Sequence, residues 1–341
     1  MDREKNSKYN VAVIGLGRMG LIRIKEIERH PHLKLIAVCD IDKKKMEERF
    51  SNHISGIDYK QIIDKNIDIV FVCTYNNISP SVVIYSLEKG KHIFCEKPPG
   101  KSAKDIEHII EIEKQHPECK LKYGFNHRYH GSIMEARSLI ESGEFGDILW
   151  MRGIYGKAGI VQFENVWRNK KEISGGGILL DQGIHMLDLF RYFAGDFEEV
   201  KSFVTTSYWN IELEDNAFAL LRNKKGQIAM LHSSATQWKH KFKLDIFLKN
   251  GYIILDGILS STRSYGEEKL IYAKKQFEDT SFAFGKPREE IIYFDTDNSW
   301  CLEIEDFVNA IENNINISSC NSYDSLASMK LVEAIYLNGK K

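Results

Sequence analysis

The 341-residue chain has only six cysteines (Cys39, Cys73, Cys95, Cys119, Cys301 and Cys320), and no two of them form a C-x-x-C pair. Three close apolar runs, which suits buried thiols better than a disulfide framework or a zinc site. The chain also lacks an excess of charge. Its 47 Lys and Arg offset 48 Asp and Glu, for a formal net charge of -1. No field of one sign is present to hold nucleic acid or an anionic membrane. No apolar run approaches the roughly 18 residues that a membrane span needs. The opening stretch, Met1 to Lys8, is polar and lacks the apolar core of a signal peptide. Together these absences lead to the expectation of a protein of the reducing cytoplasm.

What is present is ordinary for a globular protein: 43% hydrophobic and 28% charged residues. The length suits two domains. In the first part, near-continuous apolar runs at Tyr9–Ile14, Leu33–Val38, Ile67–Cys73, His92–Cys95 and Leu121–Phe125 alternate with helical patterns. The helices are read at Arg18–His30, Lys43–Phe50, Tyr59–Asp64, Pro80–Lys89 and Ser102–His116, with Ser79 as an N-cap. Such alternation predicts a parallel sheet covered on both faces. After Phe125 the texture changes. Helices are read at Gly131–Ser142 and Gly177–Ala194. Strand-like runs follow at Asp147–Tyr155, Val200–Ser207, Asn216–Arg222, Gln227–Ser233, Phe242–Leu248 and Tyr252–Leu255. Short connections such as Lys224-Lys225-Gly226 imply antiparallel hairpins. Helices at Ser299–Asn313 and Tyr323–Leu337 close the chain. The expected organisation is a Rossmann domain at 1–125 and an α+β domain at 126–341 with a mostly antiparallel open sheet and helices on one face. The closing helices could return to the first domain.

Gly15-Leu16-Gly17-Arg18-Met19-Gly20 is a G-x-G-x-x-G run between a predicted strand and a predicted helix, and Asp40 follows Gly20 by 20 residues. That context is the dinucleotide-binding fingerprint. Gly15 permits the tight turn, Gly17 lets the pyrophosphate approach, and Gly20 allows helix and strand to pack closely. The helix N-terminus offers amide donors to phosphate. Asp40 would accept from ribose hydroxyls and repel a 2′-phosphate, which favours NAD over NADP. Lys43, Lys44 and Lys45 follow closely enough to soften that repulsion, but are read first as solvated residues of the next helix.

Three further stretches accompany the loop: Glu96-Lys97-Pro98 after a strand, Asn126-His127-Arg128 after the last Rossmann strand, and Gly175-Gly176-Gly177 leading through Asp181 and Gln182 to His185. In combination they resemble the glucose-fructose oxidoreductase, inositol dehydrogenase and rhizopine-catabolism (Gfo/Idh/MocA) family, over roughly residues 10–256. The resemblance implies NAD-dependent hydride transfer at a hydroxyl or carbonyl carbon of a sugar or cyclitol. It implies a site in the cleft between domains, a cis Lys97–Pro98 bond, and Lys97, Asp181 and His185 as the catalytic group. Thr74, Asn76, Glu96 and Lys97 join the glycine loop (Gly15, Gly17, Arg18, Met19, Gly20) and Asp40 as cofactor-binding candidates. One departure stands out. Where the family usually has Thr-Pro-Asn-x-x-His, this chain has Thr74-Tyr75-Asn76-Asn77-Ile78-Ser79.

The chemistry explains the residue types. Removing a hydride from a carbinol carbon requires the hydroxyl proton to leave, and imidazole has a suitable ordinary pKa of about 6.5. Asp181 and His185 are four apart and share a face if that segment is helical. A lysine ammonium can stabilise developing alkoxide character. Asn126, Arg128, Tyr155, Trp167 and Arg168 are the substrate-binding candidates. Arg128, Lys157 and Arg168 raise the expectation of a phosphorylated or nucleotide-linked sugar, against a mixed-charge solvated loop at Lys170-Lys171-Glu172. Asp188 is expected to pair with Arg191 or a neighbouring lysine, and His127 and His130 to be structural or to line the pocket. Other readings are a cyclitol or dihydrodiol dehydrogenase, or a regulatory protein that binds NAD without turnover. No metal site is expected. The partners expected are a sugar-like substrate and further copies of the chain, as a homodimer or homotetramer.

Overall fold

The structure is a computed structural model and describes residues 8–160, 162–276 and 285–339. The chain divides into two compact units. The first comprises 1–125, 172–175 and 300–327; the second comprises 126–171, 176–299 and 328–341.

The first unit holds strands β1 (Tyr9–Ile14), β2 (Leu33–Cys39), β3 (Ile54–Gly56), β4 (Ile69–Val72), β5 (His92–Glu96) and β6 (Leu121–Gly124). Helices α1 (Arg18–Arg29), α2 (Lys43–Arg49), α3 (Tyr59–Ile63), α4 (Ser79–Glu88) and α5 (Ala103–Glu113) separate them. All six strands are parallel, in the order β3-β2-β1-β4-β5-β6. This is the doubly wound Rossmann order, in which ligands bind beyond the carboxyl ends of the strands. The expected parallel sheet is present. β3 escaped the sequence reading because three residues carry no periodicity. Ser79 begins α4 rather than capping it. Ile78 is the N-cap, and the Ser79 hydroxyl turns back to the Tyr75 carbonyl at 3.1 Å. Helix ends read from sequence are uncertain by about this much.

The core of this unit joins Val11, Val13, Ile69, Phe71 and Phe94 to Ile304, Phe307 and Val308. The last three lie on a helix from the far end of the chain, Ser299–Glu312. Phe71 and Phe94 stack at 5.1 Å, and Phe307 meets both edge-on. Beneath them, Arg23 is fully buried, with Nε 2.6 Å from Glu96 and Nη2 2.7 Å from Glu303. Its guanidinium lies 4.2 Å from the Phe94 ring centre.

The second unit contains α6 (Gly131–Glu141), β7 (Ile148–Gly156), and eventually α8 (Ile184–Ala194) after a four-residue α7 (Lys171–Ser174) that enters the first unit. Strands β8 (Glu199–Thr205), β9 (Asn216–Arg222), β10 (Ile228–Ser234), β11 (Lys241–Leu248), β12 (Gly251–Asp256), β13 (Glu268–Lys274) and β14 (Glu290–Phe294) follow. α9 (Ser299–Glu312) and α10 (Ser322–Gly339) end the chain. The eight strands β7–β14 form one sheet in the order β14-β13-β12-β11-β7-β10-β9-β8. Every pair is antiparallel except β7 with β10. The predicted hairpins β9–β10 and β11–β12 are both formed. α8 lies so close to the sheet that a Cβ on Gly153 would run into Met186 and Phe190. Glycine is therefore required there by close approach. Among the described residues, no helix is long and apolar enough to cross a membrane.

Candidate active site

The dinucleotide loop follows β1. Gly15 has a φ of +98°, a conformation L side chains rarely adopt. A Cβ on Gly20 would collide with the Gly15 carbonyl oxygen, whereas one on Gly17 would meet nothing within 4 Å. Thus two glycines are demanded by the turn and its packing, and the third leaves open space before α1. Gly17 is the N-cap of α1 and makes no side-chain cap, and no acid occupies the first turn. An uncapped helix start without a carboxylate suits pyrophosphate. Asp40, 8% exposed at the end of β2, accepts from the Leu16 amide at 2.7 Å and the Asp42 amide at 2.9 Å. It therefore ties the glycine loop to β2. Lys45 is not simply solvated: its ammonium lies 3.3 Å from Asp40. These groups fit a dinucleotide, with Gly15–Gly20 for the pyrophosphate and Asp40 for the ribose.

The other candidates of this unit are placed as follows. Thr74 Oγ1 lies 2.9 Å from Ser79 Oγ, so the serine standing in the usual histidine position binds the threonine five residues before it. Buried Asn76 donates to the Ser174 carbonyl at 2.8 Å. Glu96 is committed to Arg23, as above. Lys97 precedes a cis peptide bond to Pro98.

In the second unit, the segment before α8 is not a plain α-helix, as the sequence reading had it. Leu179–Gly183 forms a π-turn, and the α-helix starts at Ile184. π-turns of this kind recur at functional sites. The turn is held by Glu214, whose carboxylate accepts from the amides of Gly177 at 3.1 Å and Leu179 at 3.0 Å and from the Tyr336 hydroxyl at 2.8 Å. A Cβ on Gly177 would strike the Glu214 carbonyl, and one on Gly176 would strike the Tyr336 hydroxyl. Gly177 thus leaves room for Glu214 at the start of this segment. Burial pushes the Glu214 carboxyl above the ordinary range despite these bonds.

Asp181 sits in that π-turn and receives two cations. Lys157 Nζ lies 2.9 Å from one oxygen and Arg168 Nε 3.1 Å from the other. Trp167 contacts the Arg168 guanidinium at 4.5 Å. Arg128 is buried and grips Asp188 through Nε at 2.8 Å and Nη2 at 2.6 Å. Asp188 therefore does not serve Arg191, which pairs with Asp196 at 2.8 Å. Each cation that had suggested a phosphate is already engaged by a carboxylate. Lys170 and Lys171 are exposed, but Lys171 and Glu172 belong to the short helix α7 rather than to a loop.

His185 is buried at the start of α8, and the His127 ring stacks on it, 3.8 Å between centres and 13° from parallel. His127 in turn lies 3.1 Å from the Tyr155 hydroxyl and 3.2 Å from Asn126 Oδ1. Tyr155 is buried, and that burial drives its hydroxyl well above the usual phenol range. Gln182 Nε2 donates to the Tyr265 hydroxyl at 2.6 Å, and the Tyr265 ring packs 5.4 Å from Tyr155. The structure thus gathers Asn126, Tyr155, Asp181 and His185 with His127, expected to be structural or to line the pocket, with Lys157, expected near a phosphate and found on Asp181, and with two residues given no role from the sequence, Gln182 and Tyr265. Of the last two, Gln182 was signalled by its position between Asp181 and His185, and Tyr265 by nothing local.

A parallel sheet of Rossmann order with its glycine loop, followed by an open eight-stranded sheet that carries an Asp–His segment, defines an oxidoreductase that binds NAD. Residues 9–125 match the oxidoreductase family model with the NAD-binding Rossmann fold, and residues 133–254 match the Gfo/Idh/MocA C-terminal domain. The chain belongs to the Gfo/Idh/MocA oxidoreductase family. It is similar to a myo-inositol 2-dehydrogenase of Thermotoga maritima, 27% identical over 264 residues, covering 74% of this chain and 76% of that one. A D-glucoside 3-dehydrogenase of Escherichia coli is 28% identical over 251 residues, 67% of this chain and 71% of the relative. Among solved structures, a levoglucosan dehydrogenase in complex with NADH and levoglucosan shares the fold. Its TM-score is 0.85 at 21% identity, over 98% of this chain and 97% of that chain.

Proposed function

We propose that the protein oxidises a secondary hydroxyl of an unphosphorylated sugar, glycoside or cyclitol with NAD. The single observation that carries the substrate class is the engagement of Arg128, Lys157 and Arg168 by carboxylates, with Asp181 taking two of them. A site whose cations are already neutralised has little left for a phosphate, whereas charged and amide groups suit neutral hydroxyls. The related inositol and glucoside dehydrogenases support the same class.

Bound NAD supplies the hydride acceptor. In this reading His185 takes the hydroxyl proton, Lys97 stabilises the charge growing on oxygen, and Asp181 orients the substrate hydroxyl. Lys157 and Arg168 hold Asp181 ionised and fixed in direction, so that it accepts rather than donates. Asn126 and Tyr155 offer further polar contacts to substrate, and Trp167 an aromatic face.

The test is NADH formation with a panel of free sugars, glycosides and cyclitols beside their phosphorylated and nucleotide-linked forms. Turnover confined to the phosphorylated or nucleotide-linked members would overturn the substrate class. NAD binding without turnover on any member would favour a regulatory protein.

We also propose that the chain self-associates through the outer face of the second sheet. Phe203, Phe218 and Leu220 are 74%, 42% and 50% exposed on neighbouring strands, with Phe203 directly opposite Phe218. Ile291 and Tyr293 are exposed at the other edge. Apolar side chains spread across a sheet face suit an isologous interface. Light scattering on the native chain and on Leu220→Asp tests this. A monomeric native chain would refute it.

A further inference from the structure

A line of hydrogen bonds in the second unit ends on a carboxylate, and this sets the direction of every bond in it. The Asp297 carboxylate can only accept, so the Ser299 hydroxyl, 2.6 Å away, donates to it. Ser299 Oγ is then left to accept, which it does from Asn126 Nδ2 at 3.1 Å. That orients the Asn126 amide with Oδ1 towards His127 Nδ1 at 3.2 Å, so Nδ1 must carry the proton. Nε2 is then an acceptor and takes the Tyr155 hydroxyl proton at 3.1 Å. The Tyr265 ring packs 5.4 Å from that of Tyr155, and the Tyr265 hydroxyl accepts from Gln182. From Tyr155 to Asp297 all the donors point one way.

We propose that His127 is a positioning residue locked in its neutral Nδ1–H tautomer by this chain, and that the lock assigns the proton-accepting role to the stacked His185. The inference rests on the proposed dehydrogenase reading of His185. With ring centres 3.8 Å apart, two imidazolium ions would repel strongly, so only one of the pair can take a proton. Protonating His127 would place an N–H against the Tyr155 O–H and force that donor to turn away. Its neutral face can instead support a positive charge on His185. The line is not a proton wire: an amide cannot pass a proton without becoming an imidic acid, and Asn126 interrupts it.

Other titratable groups face His127. His130 meets it edge-on at 5.5 Å. His130 is bonded to Glu268 at 2.8 Å and lies 4.0 Å from Asp297. Burial alone would raise Glu268, but the bonds from His130 and from the Leu259 and Ser132 amides hold it below the ordinary range. It thus remains a charged partner for His130. The face towards β11 is apolar, formed by Phe242.

The experiment is nitrogen-15 NMR of histidine tautomers in the full-length protein without substrate, the His127 signals being identified by their loss in His127→Phe. Between about pH 5 and 9, where an ordinary histidine would titrate, His127 is expected to remain neutral with Nδ1 protonated. Asp297→Ala removes the acceptor that directs the chain, and Ser299→Ala cuts it should the first variant fold poorly. Either is expected to bring Nε2–H signal to His127 and to shift the acid limb of the kcat/KM profile. A wild-type His127 that is Nε2-protonated, or that titrates in this range, overturns the proposal, as do variants with unchanged tautomer. An intact tautomer lock in a protein that oxidises no sugar would instead mean that the dehydrogenase reading had failed.

Discussion

The guanidinium of Arg128 closes on the Asp188 carboxylate through two hydrogen bonds, and both side chains are buried, at 6% and 1% exposure. Removing one member of such a pair leaves an uncompensated buried charge, at about 3–5 kcal/mol. Arg128→Leu should therefore lower unfolding stability by that order in urea denaturation. Arg128→Leu with Asp188→Leu should regain much of it. If Arg128→Leu folds with native stability and only raises KM, the arginine serves substrate rather than Asp188.

Cofactor choice should follow Asp40. A 2′-phosphate would meet a carboxylate already accepting from Leu16 and Asp42, although Lys45 at 3.3 Å partly offsets the repulsion. Titration should show tighter binding of NAD than NADP. Asp40→Ala should narrow the gap and Lys45→Ala widen it. Tighter NADP binding by the native chain would contradict the assignment.

The catalytic assignment separates turnover from cofactor affinity. Lys97→Ala and His185→Ala should each lose about 10²-fold or more in kcat, the usual scale of general acid–base help. NAD affinity, measured by fluorescence quenching, should stay nearly unchanged. Near-normal turnover in either variant means the catalytic group lies elsewhere.

Glu303 should make part of the stability pH-dependent. Burial raises its carboxyl to about 7, with Glu96 adding to the rise and Arg23 opposing it. Between its ordinary value, about 4.3, and that raised value, the folded state binds more proton than the unfolded one. Stability from this group is thus present at low pH and is lost as pH rises through the window. Relative to Glu303→Gln, the native chain should become progressively less stable from about pH 4.5 to pH 7. Parallel stability profiles for the two proteins would show that Glu303 does not titrate there.

Much of the first unit is determined by local sequence. Runs such as Tyr9–Ile14 and Ile67–Cys73 are apolar on both sides because both faces of a parallel sheet are covered, so they announce themselves without context. The glycines at 15, 17 and 20 and the acid at 40 likewise act within one βαβ unit. β13 and the edge strand β14 were missed because Glu268–Lys274 and Glu290–Phe294 mix polar and apolar residues without a clean alternation. What only the tertiary structure decided is the choice of partners. Asp188 lies three residues from Arg191 yet binds Arg128, 60 positions away. Asp181 gathers Lys157 from the end of β7 and Arg168 from a separate turn. His127 meets His185 because the short 3-10 turn Asn126–Tyr129 is brought against the first turn of α8. A periodic pattern encodes which face of an element is buried, whereas which charge or ring lies opposite depends on how distant elements pack, and no local spacing carries that information.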